Sequence, residues 1–160
     1  MNESTSDNEF FERAIRLAFE AEKANNLPIG AVISLDGRVI AEGKNAIWHP
    51  QFDPTRHAEI EALRNVPDHL WQDSRQMTLY TTLEPCLMCM GAILLHNIGH
   101  VQYGSADHFG GSSKVIGHMP TYFEEEISRI EWLGPAYAVK CDPLFERVKI
   151  IERRRGLNID

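Results

Sequence analysis

Apolar residues recur at helical spacing near the start of the chain. Phe11, Ala14, Ile15, Ala18 and Ala21 fall on one face of a 3.6-residue repeat, which predicts a helix over Asn8–Asn25 with Asp7 as its N-cap. The polar residues 1–7 ahead of it are expected to fray. After the break at Leu27-Pro28-Ile29-Gly30 the period changes. Ala31–Leu35 and Arg38–Glu42 flank Asp36-Gly37, a dipeptide that accepts the positive φ of a tight turn, so two antiparallel strands are predicted. A loop over Gly43–Arg56 leads into a short helix, His57–Arg64, and a polar connection containing Pro67.

Met77–Thr82 is rich in β-forming residues, and Pro85 stands where a proline can open a helix over Cys86–His96. A strand therefore runs straight into an apolar helix. His100–Tyr103 reads as a further strand, 104–120 as a glycine-rich loop, and Tyr122–Arg129 as a helix whose Glu124-Glu125-Glu126 run is a solvated face. Ile130–Leu133 and Tyr137–Val139 are weaker strand patterns, and a last helix is expected after Cys141-Asp142-Pro143, running to about Arg155. A helix and hairpin followed by alternating strands and helices predict an α/β domain with parallel strands in its second half. Sites in such sheets lie at the carboxyl ends of strands.

A length of 160 residues with 43% hydrophobic content suits one domain spanning 1–160. No apolar stretch approaches the roughly 20 residues of a membrane span, and the first residues are polar, so a soluble cytoplasmic protein is expected. Three cysteines, two of them three positions apart, do not make a secreted disulfide framework and favour a metal or redox role for the pair. Cys141 is expected to be a small buried residue. A net charge of -7 argues against a protein built to grip phosphate backbones and favours a small ligand. The cluster Arg147, Lys149, Arg153, Arg154 and Arg155 reads first as an exposed helix face.

Cys86 and Cys89, at i and i+3 on the first turn of a helix, project from the same side, and a helix N-terminus favours the thiolates that a metal requires. His57 is the candidate third ligand. Two cysteines and a histidine with an open fourth position are a catalytic zinc arrangement, and no second Cys-x-x-Cys exists to close a structural site. Because two thiolates offset the charge of zinc, a nearby proton acceptor is valuable, and Glu59 is placed to take a proton from the attacking water and pass protons to a ring nitrogen and a departing amine. Alone, Cys-x-x-Cys also fits a redox pair or two buried thiols, and His-x-Glu recurs by chance. In the order His57-Ala58-Glu59 and then Pro85-Cys86-Leu87-Met88-Cys89, they match the signature of zinc nucleobase deaminases.

At these residues the chain resembles the cytidine and deoxycytidylate deaminase superfamily, in the branch of guanine deaminase, yeast-type cytosine deaminase and bacterial tRNA adenosine deaminase. The resemblance rests on Pro28–Val32, Asp53–Ile60, Thr78–Cys89 and Gly91-Ala92-Ile93, and covers about residues 8 to 110. It implies a three-layer α/β/α domain around a mixed five-stranded sheet, one zinc ion per chain and a homodimer. It also implies that Asn45 hydrogen-bonds the substrate base and that the backbone around Ala58 and Glu84 lines the pocket.

The stretch Ser105-Ala106-Asp107 replaces an alanine-arginine-aspartate run of the tRNA enzymes, and Phe109 falls where cytosine-deaminase-like proteins place an aromatic gate. The leading expectation is therefore deamination of a free nucleobase or nucleoside with a guanine-like or cytosine-like ring. A tRNA-specific adenosine deaminase acting in the anticodon loop is the alternative, and a non-catalytic zinc-stabilised binding module the third.

Overall fold

The computed structural model describes residues 6–157. In chain order these form α1 (Asp7–Lys23), β1 (Gly30–Leu35), β2 (Arg38–Lys44), α2 (Ala58–Arg64), β3 (Thr78–Leu83), α3 (Leu87–Leu95), β4 (His100–Ser105), α4 (Thr121–Ile127), β5 (Glu131–Leu133) and α5 (Ala138–Arg154). Short 3-10 helices cover Asp68–Gln76 and Ser112–Val115. The sheet runs β2-β1-β3-β4-β5, antiparallel from β2 through β1 to β3 and parallel from β3 through β4 to β5. This is the mixed five-stranded sheet expected.

Alternation along β1 explains the layers. Ala31 and Ile33 pack into a cluster with Ala58, Ala62 and Ile93 of α2 and α3, whereas Val32 packs with Phe10, Phe11 and Ala14 of α1 and with Cys141 and Leu144 of α5. Successive strand side chains point to opposite faces, so a strand buried throughout must be covered on both sides. The hairpin forms as predicted, with Asp36 and Gly37 at φ 51° and 72° and Leu35 opposite Arg38.

The structure corrects several local expectations. Asp7 is the first residue of α1 and Ser6, not Asp7, is its N-cap, with the Ser6 backbone N–H donating to Glu9 at 3.1 Å. Asp7 instead accepts hydrogen bonds from the Tyr80 hydroxyl at 2.5 Å and the Gln102 amide at 3.2 Å, which ties the start of α1 to β3 and β4. The expected fraying of 1–5 lies outside the described residues. Tyr137–Val139 is not a strand; α5 starts there, ahead of Pro143. Tyr137 stacks on Phe11 and donates to Glu12 at 2.8 Å, and these contacts hold the first turn in place. The proline costs the early helix only one amide. Nor is Glu124-Glu125-Glu126 a uniform solvated face. Glu126 is buried and pairs with Arg75 at 2.6 Å and Arg129 at 2.7 Å, and Glu124 accepts from the Gly117 and Met119 amides.

One contact decides where α2 sits. A Cβ at Gly43 of β2 would lie 2.1 Å from the Ala58 carbonyl oxygen and 2.3 Å from the Ala62 nitrogen, both backbone atoms that cannot turn aside. Glycine lets the strand and helix touch. Gly43→Ala is expected to push α2 outward and to cost on the order of 1–3 kcal/mol, a range typical of overpacking. Thermal unfolding together with zinc content checks this, and both are expected to fall.

Candidate active site

Both chemical motifs sit at helix starts. His57 is the N-cap of α2 and Cys86 the N-cap of α3, each with extended backbone (φ -74° in both), so their side chains swing off the helix ends instead of along them. Cys89 follows one turn into α3 and is fully buried. The His57 Nδ1 atom lies 3.6 Å from both the Cys86 and the Cys89 Sγ. The three donors fall within 4.8 Å of one another. A tetrahedral zinc with Zn–S near 2.3 Å and Zn–N near 2.0 Å separates a sulfur and a nitrogen donor by about 3.6 Å, so this set fits the ion without rearrangement.

Glu59, two residues past His57, is held from two sides. Thr81 of β3 donates to its Oε1 at 2.9 Å, and the Cys89 thiol faces its Oε2 at 3.5 Å. Burial pushes the Glu59 carboxyl above its ordinary range, against the opposing charge of His57. For His57, burial works against the charged ring, but its hydrogen bond to Cys86 and the charges of Glu59 and Cys86 outweigh this and raise its pKa. A hydrogen bond from Cys89, aided by His57, brings the Cys86 thiol down to about 4, and Cys89 as the donor is pushed up. The metal-free pair thus shares one proton, which zinc would displace.

These groups open into a cleft of about 270 Å³. Leu27, Ile29, Ile47, Leu83 and Val148 form an aliphatic wall, and Glu84, Asp107 and Glu152 supply the remaining polar groups. No lysine or arginine lines it among the described residues. Glu84 is a loop anchor: its carboxylate accepts the Asp107 amide at 2.9 Å and the Ser113 amide at 3.0 Å. Asp107 in turn caps the amides of Phe109 and Gly110. Asn45 is buried behind the aliphatic wall; its Oδ1 accepts from Leu27 and Ile47, but its Nδ2 has no partner.

The structure therefore brings His57, Glu59, Glu84, Cys86 and Cys89 together, whereas Asn45 is buried outside the cleft lining, beside Leu27 and Ile47. Ala58 is buried against Gly43, outside the cleft lining. Phe109 is 63% exposed and does not line the cleft, so the aromatic gate expected there is not formed. His108 lines a separate surface pocket. Cys141 of α5 is buried against Gly104 of β4, as expected. The basic cluster is the largely exposed face expected, with Arg147, Arg153, Arg154 and Arg155 exposed, and it is tied down by Arg147 pairing with Glu22 at 2.7 Å, Lys149 with Glu146, and the Arg155 guanidinium 3.3 Å above the Trp48 ring.

Sequence reasoning missed Glu152. The available signal was its register, since it continues the buried stripe Cys141, Leu144 and Val148 of α5, where an apolar residue is expected. Burial raises its pKa, and Arg155 opposes the shift. Glu59, Glu84 and Asp107 share the cleft with it. A carboxyl whose pKa rises on folding stabilises the fold fully below its unfolded value, near 4.3, and loses that contribution as pH climbs to the folded value. Glu152→Gln removes the titration. The unfolding midpoint of the variant, relative to the parent, should therefore rise between pH 4 and pH 7; a difference that stays flat or falls contradicts the assignment.

Metal analysis of the purified protein should find one zinc per chain. Cys86→Ala should lose it, whereas Glu59→Gln should keep it.

Comparison with known proteins agrees with this geometry. The profile of the cytidine and deoxycytidylate deaminase zinc-binding region matches residues 4–105. The tRNA-specific adenosine deaminase of Haemophilus influenzae is 42% identical over 125 residues, spanning 76% of this chain and 69% of that protein. A solved structure from work on A-to-I editing by tRNA:A34 deaminases at the wobble position is 40% identical, with a TM-score of 0.64 over 71% of this chain and 90% of that one. The structure of guanine deaminase from Bacillus subtilis is 29% identical, with a TM-score of 0.60 over 98% of both chains. With the zinc-binding region matched over more than half its length, and the ligand set in place, the chain belongs to the cytidine and deoxycytidylate deaminase family.

Proposed function

We propose that the protein is a hydrolytic deaminase that converts adenosine to inosine in a tRNA loop. The observation that carries this reading is the 42% identity to the Haemophilus influenzae tRNA-specific adenosine deaminase over 76% of the chain. It favours the alternative over the order expected from the acidic balance and the Ser105-Ala106-Asp107 loop, in which a free base or nucleoside came first. Net charge describes the whole surface, whereas RNA contact depends on local charge. Here Arg153, Arg154 and Arg155 are exposed and follow directly on Glu152, which lines the cleft, so positive charge borders its mouth.

Zinc, when held by His57, Cys86 and Cys89, supplies the Lewis acidity that makes water a nucleophile near neutral pH. Glu59 moves the protons. It takes one as oxygen bonds to the ring carbon bearing the amine, delivers it to the adjacent ring nitrogen, and then serves the departing nitrogen, so that water and adenosine become inosine and ammonia. Thr81 fixes the carboxylate orientation for this traffic. The Asn45 Nδ2 is a buried donor without a partner that stands outside the cleft lining, and it meets an acceptor on the base only when the wall at Leu27 and Ile47 yields to the substrate. The aliphatic wall excludes water from the ring faces, and a base reaches it only after leaving its stack.

Guanine deamination is the second reading, favoured by the match to the Bacillus subtilis enzyme over 98% of both chains. The homodimer is likewise proposed, through the exposed Leu87, Met88, Leu95 and Tyr122 of α3 and α4; a monomer mass in light scattering contradicts it. The substrate test is ammonia and inosine formation by zinc-loaded protein on a transcribed tRNA, adenosine, adenine, guanine and cytosine. Turnover of the tRNA supports the proposal, and turnover of guanine alone replaces it. Glu59→Gln should lower the rate by about 10²-fold or more. The double variant Arg153→Glu, Arg154→Glu should raise KM for tRNA and flatten its salt dependence.

A further inference from the structure

The reaction described above leaves Glu152 without a role, and its setting differs from that of the other carboxyl groups in the cleft. Glu59 is held by Thr81 and faces Cys89, Glu84 accepts two backbone amides, and Asp107 accepts two more. Glu152 is 6% exposed, lines the cleft, and makes no hydrogen bond or ion pair with the described residues. Arg155, three residues on, lies over the Trp48 ring, and its charge reaches Glu152 without an ion pair. Its carboxylate is open to the cleft, and an ionised carboxylate can only accept hydrogen bonds. What it lacks is a donor.

The direction from which Glu152 enters narrows the donor down. The metal-binding side chains and Glu59 come from the first turns of α2 and α3, and Glu152 comes from the last turn of α5, one turn past Val148, so it enters the same cleft from a separate element. A planar ring whose amine meets the first group turns its far end toward the second. Among the lining residues Glu152 stands with Glu84 and Asp107, so this part of the cleft suits a donor better than an anion.

We propose that Glu152 contacts the substrate and accepts a hydrogen bond from its glycosidic end, and so selects among substrates that share the same reacting amine. The proposal rests on the deaminase reading of the cleft. Two sources carry the donor. In an adenosine within RNA the 3′ and 5′ oxygens are esterified, which leaves the 2′-hydroxyl as the free sugar donor. In a free purine it is the ring N–H that glycosylation would replace.

The test measures binding to zinc-loaded full-length protein in a Glu59→Gln background, where substrate is not consumed. The ligands are an anticodon-loop hairpin, the same hairpin with a single 2′-deoxyadenosine at the target position, adenine and guanine. If the sugar is the donor, removing the 2′-hydroxyl weakens binding about ten-fold with Glu152 present and has no effect once Glu152→Ala is added. If the ring N–H is the donor, the deoxy change is silent and Glu152→Ala weakens the free bases instead. The near-isosteric Glu152→Gln, which keeps one acceptor oxygen, should fall between parent and alanine and guards against misfolding. Unchanged affinity for every ligand in both variants, or no ligand bound by any protein, overturns the proposal. A hairpin that fails to bind while free bases bind removes the tRNA reading and leaves the Glu152 result standing.

Discussion

Three donor atoms from two separate helix starts have to meet within 4.8 Å, and much of the fold is arranged around that requirement. His57 and Cys86 are both N-caps, so each is aimed by the exit geometry of a helix and not by the rotamer of a long side chain. The two helices must then lie side by side on one face of the sheet. Strand β3 delivers α3 directly, and α2 is held down by backbone contact with β2 at Gly43. Bringing two thiols, an imidazole and a carboxyl together in a buried place is unfavourable by itself. The shared proton between Cys86 and Cys89 and the anchoring of Glu59 by Thr81 keep the metal-free arrangement intact.

The loops around the centre depend on a second buried acid. Glu84, at the end of β3, accepts the amides of Asp107 and Ser113, so the segment after β4 is fastened to the same turn that carries Cys86. Gly111 packs so closely on the Glu84 carboxyl that a side chain there would collide with it. A further wall comes from α5, which lines the cleft with Val148 and Glu152 and whose cap residue Arg155 stacks on Trp48 in the loop before α2. The site thus has a rigid metal side and a wall whose outer turn carries Arg153, Arg154 and Arg155.

The parts of this account that were legible in the sequence are those fixed by short-range chemistry. The Asp36-Gly37 turn, the period of α1, the strand-to-helix step at Pro85 and the ligand set all follow from residue types at small spacings. What escaped depends on distant partners. Tyr137 reads as part of a strand until Phe11 and Glu12 are known to hold it at the start of a helix. Glu126 reads as solvated until Arg75, 51 positions away, is placed beside it. Phe109 reads as a gate by resemblance, but Asp107 bonds the amides of Phe109 and Gly110 and shapes a turn whose ring faces solvent. Glu152 was hidden beside arginines, and net charge is a weak guide to the substrate for a similar reason, because composition does not say where charges sit.

The central claim is that water, activated in this cleft, replaces the amine of an adenosine held in tRNA. The most direct measurement is mass spectrometry of nucleosides from a tRNA transcript incubated with zinc-loaded protein in oxygen-18 water. The account predicts inosine carrying the heavy oxygen at its base, absent when Glu59 is changed to glutamine. A transcript that yields no inosine, from protein that releases ammonia from free guanine, would contradict it.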